Sequence, residues 1–334
     1  MPNKPIRTTD DTIACSYTDP IDVVYTWVDG DDKDWQAMRN KYAIEYQSQL
    51  SNVDSNSNNR YRNHDELKYS LRSIHQFASF VHHIYIITNG QRPRWLKDHP
   101  KITIVTHEEI FKNKSDLPTF NSHAIEANLH RIPNLSDKFI YFNDDFFLGK
   151  QVSPEDFFSI TGTIRVYLIP YLAPTGTIIP GEKAYESAWK NTDALLSIYY
   201  GKEKRLELAH IPHALTKSLI QEAEHSFPLV FSSVSSHKFR MHSDYTLTNG
   251  LIPYFAMYTK KATVHYPDLT MLVMLSADVE KNREQFEMLK EHTYRFFCIE
   301  DMENEENEAA ARTLQEFFMS YFPKPAPWEE IDGK

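Results

Sequence analysis

The chain is 334 residues long, enough for one large domain or two modest ones, and 36 Lys and Arg against 46 Asp and Glu leave a formal charge of -10. That acidic balance excludes a general nucleic-acid binder, because phosphate backbones are neutralised by clustered Lys and Arg. Only 9 glycines are present, fewer than half of what an average usage of roughly 7% gives. They are scattered, so no G-x-G-x-x-G fingerprint can be written. The nearest approach to a P-loop, Gly176 to Gly181, has Glu182 where that loop needs its lysine. Any phosphate is therefore expected to be held without a glycine cradle. Cys15 and Cys298 stand at opposite ends of the chain, which gives neither a C-x-x-C zinc set nor a disulfide framework and suits a reducing compartment.

In chain order, residues 1–20 read as a polar leader without the apolar stretch of a signal peptide, and no run approaches the roughly 18 apolar residues of a membrane span. The expected location is the cytoplasm. Residues 21–28, rich in β-branched and aromatic side chains, predict a strand that runs into the carboxylate-rich turn Asp29-Gly30-Asp31-Asp32. Residues 47–60, with the polar run Ser51 to Asn59, predict a mobile loop. Leu67, Leu71, Ile74 and Ala78 fall at helical spacing over 65–78, with Asn63 and Glu66 as a start signal. Strands are predicted at 83–88, closed by Asn89-Gly90, at 101–105 and at 138–142, with a helix over 122–132 between the last two. Beyond Pro154 the chain is less regular until helices near 213–226, 279–290 and 306–321, the last stopped by Pro323, Pro325 and Pro327.

Strands alternating with helices imply a mostly parallel central sheet flanked by helices, an α/β fold with a helical C-terminal part. Such sheets bind ligands at the carboxyl ends of their strands, where both acidic clusters fall. Asn143-Asp144-Asp145 emerges from an apolar strand and suits Mg2+ or Mn2+ on a diphosphate; Asp145 is expected to face the ligand and Asp144 to orient it. The same pair is also ordinary turn and capping material. Glu126 and His130 are expected on one helix face, which spacing alone reads as a solvated pair. His210-Ile211-Pro212-His213 offers imidazoles as a general base or phosphate donor, and His237-Lys238-Phe239-Arg240 offers a guanidinium suited to phosphate, against the plain alternatives of capping and a solvated basic strip.

Together these segments resemble the Stealth family of sugar-phosphate transferases. The resemblance runs through residues 21–30, 62–96, 117–122 and 139–145, then 210–213 with 237–240, and finally Phe296-Phe297-Cys298-Ile299 with Tyr321-Phe322-Pro323. Asp29 departs from the usual asparagine, and Glu300-Asp301 from the usual Asn-Asp. The resemblance implies one catalytic domain over 21–328, similar to GT-A-like nucleotide-sugar transferases, with a nucleotide-sugar and metal half at 21–150 and an acceptor and phosphate half at 151–328. It implies that Glu126, Asp145, His210 and Arg240 are functional, that Asp145 and Asp144 hold Mg2+ or Mn2+, and that Asp29, Arg72, Asn89, Asn121, His213 and Lys238 contact substrate. The expected reaction moves a sugar 1-phosphate from a UDP-sugar to a capsular glycan hydroxyl and releases UMP, at the inner face of a bacterial inner membrane beside capsule-assembly partners and with no nucleic acid. His210 and Glu126 both remain open as the base. The rival readings are a metal-dependent glycosyltransferase releasing UDP and a non-enzymatic glycan-binding module.

Overall fold

The computed structural model describes residues 19–47, 56–267, 270–301 and 307–330. The leader up to residue 18, Cys15, and the first part of the Ser51 to Asn59 run lie outside the described residues. The end of that run enters a 3-10 turn, Asn58–Tyr61, where a mobile loop was expected.

The central sheet is built from β1 (Ile21–Thr26), β2 (Ile84–Thr88), β3 (Ile102–Thr106), β4 (Lys138–Asn143) and, from much later in the chain, a strand at His213–Thr216. The order is β3, β2, β1, β4 and then the late strand; the first four run parallel and the last is antiparallel to β4. The α/β, mostly parallel expectation therefore holds. Strands β1, β2 and β4 are buried along nearly their whole length, as a parallel sheet covered on both faces requires.

Helix α1 is Lys33–Glu45 and α2 is Glu66–Phe77. The stripe Leu67, Leu71 and Ile74 is buried against the sheet as its spacing predicts. The start of α2 differs from expectation: Asp65, in the left-handed region at φ 62°, is the capping residue, and Glu66 turns back to accept from the His64 amide. After β4 comes β5 (Phe146–Leu148), which leaves the central sheet and pairs antiparallel with a strand at Phe296–Asp301. That late strand also pairs, in parallel, with Thr270–Leu275. Ile164–Leu172 is β6; with β7 (Leu206–Leu208) and β9 (Ala262–His265) it forms a third sheet. His213–Thr216 is thus β8, Thr270–Leu275 is β10 and Phe296–Asp301 is β11.

Two predicted helices are corrected. The run 213–226 is not one helix: His213–Thr216 is β8, and the helix begins at Lys217, capped by the Thr216 hydroxyl accepting from the Leu219 amide at 3.0 Å. The tertiary gain is an edge pairing with β4, which buries Ala214 and Leu215. The run 122–132 breaks after Ser122–Glu126, and a 3-10 turn follows at Leu129–Arg131. The Asn128 side chain donates to the Ala124 carbonyl at 2.9 Å, offering the backbone a substitute for the next helical bond. Glu126 and His130 accordingly do not share a face. His130 lies 2.9 Å from Glu224, whereas Glu126 accepts from Thr248.

Gly30 closes β1 where no side chain fits: a Cβ there would stand 1.7 Å from the Tyr61 carbonyl oxygen. Tyr61 in turn packs on Trp35 of α1, ring centroids 5.0 Å apart. Gly30→Ala is expected to cost on the order of 1–3 kcal/mol, as overpacking against fixed backbone does. Urea unfolding followed by tryptophan fluorescence checks this, and an unchanged midpoint would contradict the close approach.

Candidate active site

Strand β4 delivers Asn143, Asp144 and Asp145 to the carboxyl end of the central sheet, and the chain passes directly from them into β5. Helix α2 fixes that passage. Ser70 donates its hydroxyl to the Phe146 carbonyl and lies 2.7 Å from the Tyr25 hydroxyl, and the Ser73 hydroxyl accepts from the Leu148 amide at 3.1 Å. The Asp145 carbonyl accepts from the Ile299 amide at 3.1 Å, so the acidic turn is stitched to β11 by its own backbone.

That stitch places Cys298, paired with Phe146 across the two strands, beside Asp145. His210, in the approach to β8, stands edge-on to Phe146 with ring centroids 4.8 Å apart. One ligand atom each from Asp145, His210 and Cys298 lies within 4.8 Å of the others. Asp145 Oδ1 is buried without a hydrogen-bond partner. Burial, then the charge of Glu66, pushes the Asp144 carboxyl up to about 7. Burial, Asp144 and Glu300 push Asp145 well above the ordinary carboxylate range. Burial lowers His210, with Arg240 acting in the same direction and Glu300 against it. An uncapped carboxylate oxygen and mutually repelling acids at one strand end fit a divalent cation, which relieves both defects.

Arg240 approaches from the segment after helix Pro228–Ser236 and donates to the Ser122 hydroxyl at 2.8 Å. Burial and the neighbouring Arg60 lower its guanidinium to about 10, with Glu126 opposing the fall. Glu126, at the end of Ser122–Glu126, is buried and accepts from the Thr248 hydroxyl at 2.7 Å. Asp145 and His210 are therefore adjacent, Arg240 is close enough to influence His210, and Glu126 is close enough to influence Arg240.

The other expected residues fall in three groups. Asp29 and Asn89 lie in the turns after β1 and β2; the Gln91 side-chain amide ties the Asp29 backbone to the second turn, at 2.9 and 3.0 Å, and Asn89 Oδ1 is buried without a hydrogen-bond partner. His213 lies behind His210, and burial with that neighbour drops it to about 3. Arg72, Asn121 and Lys238 are engaged inside the protein. Arg72 forks onto Glu329 and donates to the Phe322 carbonyl, Asn121 is fully buried on Phe239 and Asp244, and the Lys238 ammonium donates to the Ser115 carbonyl at 3.0 Å.

Sequence reasoning misses three participants. Glu66 reads from its position as part of a helix-start signal, yet it is buried close enough to raise Asp144. Cys298 enters the sequence reading through disulfide and zinc arithmetic and as a member of the last resembling block, but not as a site residue. Asp244, in no motif, is fully buried. Only the apolar strand around Cys298 carries a signal, because burial of a lone thiol inside Phe-Phe-Cys-Ile follows from that pattern.

Family models match along the chain in order: Stealth conserved region 1 at residues 19–47, region 2 at 60–166, region 3 at 209–256 and region 4 at 287–334. An exopolysaccharide phosphotransferase of Streptomyces coelicolor is 38% identical over 313 residues, covering 93% of this chain and 52% of that protein. The exopolysaccharide phosphotransferase CpsY of Mycobacterium tuberculosis is 37% identical over 319 residues, covering 93% of this chain and 58% of that protein. This chain thus spans a little over half the length of these relatives. A crystal structure of the galactosyltransferase LgtC with donor and acceptor sugar analogues aligns with a TM-score of 0.44 at 9% identity, over 92% of this chain and 99% of that one. Asp145, His210, Arg240, Glu126 and Cys298 all fall inside the matched regions, and the chain belongs to the Stealth family.

Proposed function

We propose that the chain is a sugar-phosphate transferase that moves a hexose or N-acetylhexosamine 1-phosphate from a UDP-sugar to a glycan hydroxyl. The observation that carries the reading is the gathering of Asp144, Asp145, His210 and Arg240 at the carboxyl end of the central sheet of a Stealth chain. The names of its relatives support the phosphotransferase class. Among the described residues no helix is long and apolar enough to cross a membrane. A working place at the inner face of a membrane, beside capsule-assembly partners, is part of the proposal.

The acceptor oxygen forms a bond to the phosphorus that carries the sugar. The bond from that phosphorus to the bridging oxygen breaks, its electron pair leaves on UMP, and the acceptor proton passes to the enzyme. His210 is the base: its lowered affinity for protons keeps the imidazole neutral near pH 7, with a nitrogen lone pair available. Glu126 anchors Thr248 and offsets the charge of Arg240, which stabilises the equatorial phosphoryl oxygens. Asp145, with Asp144 next to it in the chain, would hold Mg2+ or Mn2+ by carboxylate oxygens; when bound, the ion would neutralise diphosphate charge. Asp29 and Asn89 face the nucleotide from the turns after β1 and β2.

Incubation of the purified protein with UDP-sugars and short glycans tests the reaction. The expected products are UMP and a phosphodiester visible by phosphorus NMR, whereas UDP without a phosphodiester would replace this reading by ordinary glycosyl transfer. Arg240→Ala is expected to lower kcat roughly a hundred- to a thousand-fold, the usual cost of removing one preorganised charge donor, and Asp145→Ala to abolish turnover while the fold persists by circular dichroism.

The raised Asp144 carboxyl carries a separate expectation. Without cations, the unfolded chain loses this proton near the ordinary aspartate value of 3.8 and the folded chain only at about 7. The ionised group therefore costs stability progressively across that window, and the full cost is present above it. Asp144→Asn is expected to raise the Tm in chelator at pH 8 and to leave it nearly unchanged at pH 3.5. Added Mg2+ should raise the Tm of the wild type at pH 8, and that of the variant by less because Asp145 remains, as calorimetry would read.

A further inference from the structure

The Asp244 side chain is fully buried and receives four donors. Its Oδ2 accepts from Asn121 Nδ2 at 3.0 Å, from the Met241 amide at 3.2 Å and from His123 Nδ1 at 3.3 Å, and its Oδ1 accepts from His237 Nδ1 at 2.5 Å. These donors come from two segments more than a hundred residues apart in sequence. One begins the helix that ends at Glu126, and the other contains Arg240.

The two segments are in contact through more than the carboxylate. The Phe120 amide donates to the Lys238 carbonyl at 2.7 Å, the Thr119 hydroxyl to the His237 carbonyl at 3.2 Å, and the Asn121 side chain to the Phe239 carbonyl at 3.3 Å. The rings of Phe120 and Phe239 stack with centroids 5.0 Å apart. Asn191 holds the far side, donating to the His242 and Asp244 carbonyls at 2.7 and 2.9 Å. Arg240 sits inside this frame, bonded to Ser122 and in electrostatic reach of both Glu126 and Asp244. A buried carboxylate without donors is expensive, so four donors converging on one makes each dependent on it.

We propose that Asp244 is a positioning residue: its carboxylate locks the 237–244 segment onto the 119–123 segment and thereby fixes where Arg240 presents its guanidinium. Acceptance by both oxygens also sets the tautomers, with the proton of His123 and of His237 on Nδ1. An asparagine keeps the shape but has one oxygen. If its amino group faces the side of Asn121, Met241 and His123 it meets three donors and that half opens; if it faces His237, that ring must give up the Nδ1 proton and take the other tautomer, and the ionic part of the clamp is lost either way. The inference rests on the reading of Arg240 as the phosphoryl-binding residue only for its kinetic arm.

Two arms test it on the full chain. In the first, nitrogen NMR of the wild type is expected to show Nδ1-protonated His123 and His237 and a dispersed, exchange-protected Arg240 Nε–H. Asp244→Asn should shift the Arg240 signal and remove its protection while the circular dichroism spectrum stays native. An unchanged Arg240 signal would overturn the proposal. If Asp244→Asn does not fold, His123→Phe removes a single donor and should displace the same signal in the same direction; no displacement again counts against it.

In the second arm, Asp244→Asn is expected to lower kcat about ten- to a hundred-fold with donor KM little changed, and to add less than about threefold on an Arg240→Lys background, since residues acting as a unit are not additive. Independent, multiplying losses would reduce Asp244 to a purely structural role and overturn the proposal. If the wild type releases no UMP from any UDP-sugar, the functional reading falls, while the NMR arm still decides the clamp.

Discussion

The structure turns on the burial of acid where two sheets meet. Strand β4 ends in Asp144 and Asp145, and the chain passes at once into β5, which belongs to a different sheet. Joining sheets at this point sets the carboxylates between α2, with Glu66, and β11, with Cys298 and Glu300, and leaves them only partly exposed to water. Carboxylates crowded in this way are costly until something cationic arrives. The surrounding structure is organised to tolerate that cost. Ser70 and Ser73 fix the passage from the helix side, and the Asp145 carbonyl fixes it from β11.

The cationic side of the site is held by the opposite device. Arg240 is half-buried with another arginine near it, and its charge is compensated by Glu126 and Asp244. The two halves of the site thus arrive from different parts of the chain with opposite electrostatic defects. Acids come from the first half on rigid strands. The guanidinium and the imidazole of His210 come from beyond residue 200, on segments that the central sheet recruits through β8 and the 119–123 contacts.

Much of this was legible in the sequence where one dimension sufficed. Continuous β-branched and aromatic runs marked β1, β2 and β4, and the 3.6-residue stripe marked α2, because these elements are fully buried and their pattern is local. Asn143-Asp144-Asp145 was legible as a strand end for the same reason. The His-Ala-Leu-Thr run of β8 was not, since four residues fit either periodicity and only the partner strand decides. The break after Glu126 was hidden because Asn128 acts through a side-chain bond that periodicity does not register. The internal partners of Arg72, Asn121 and Lys238 were hidden too, since they lie about 120 to 260 residues away in sequence.

The scarcity of glycine acquires a physical meaning from this arrangement. A phosphate cradle made of backbone amides needs glycines for close approach but few side chains to aim it. A site made of charged side chains inverts that demand: every long, flexible group must be restrained by another buried polar group, or its rotamer entropy is lost at the moment of reaction. Ser122 on Arg240, Thr248 on Glu126 and the four donors on Asp244 are those restraints. Gly30, pressed against the Tyr61 carbonyl, and Gly90, at a φ of 107° after β2, serve only to turn the chain beside the site. Low glycine content and charged side chains held by buried hydrogen-bonding partners are, in this fold, two aspects of one way of building the site.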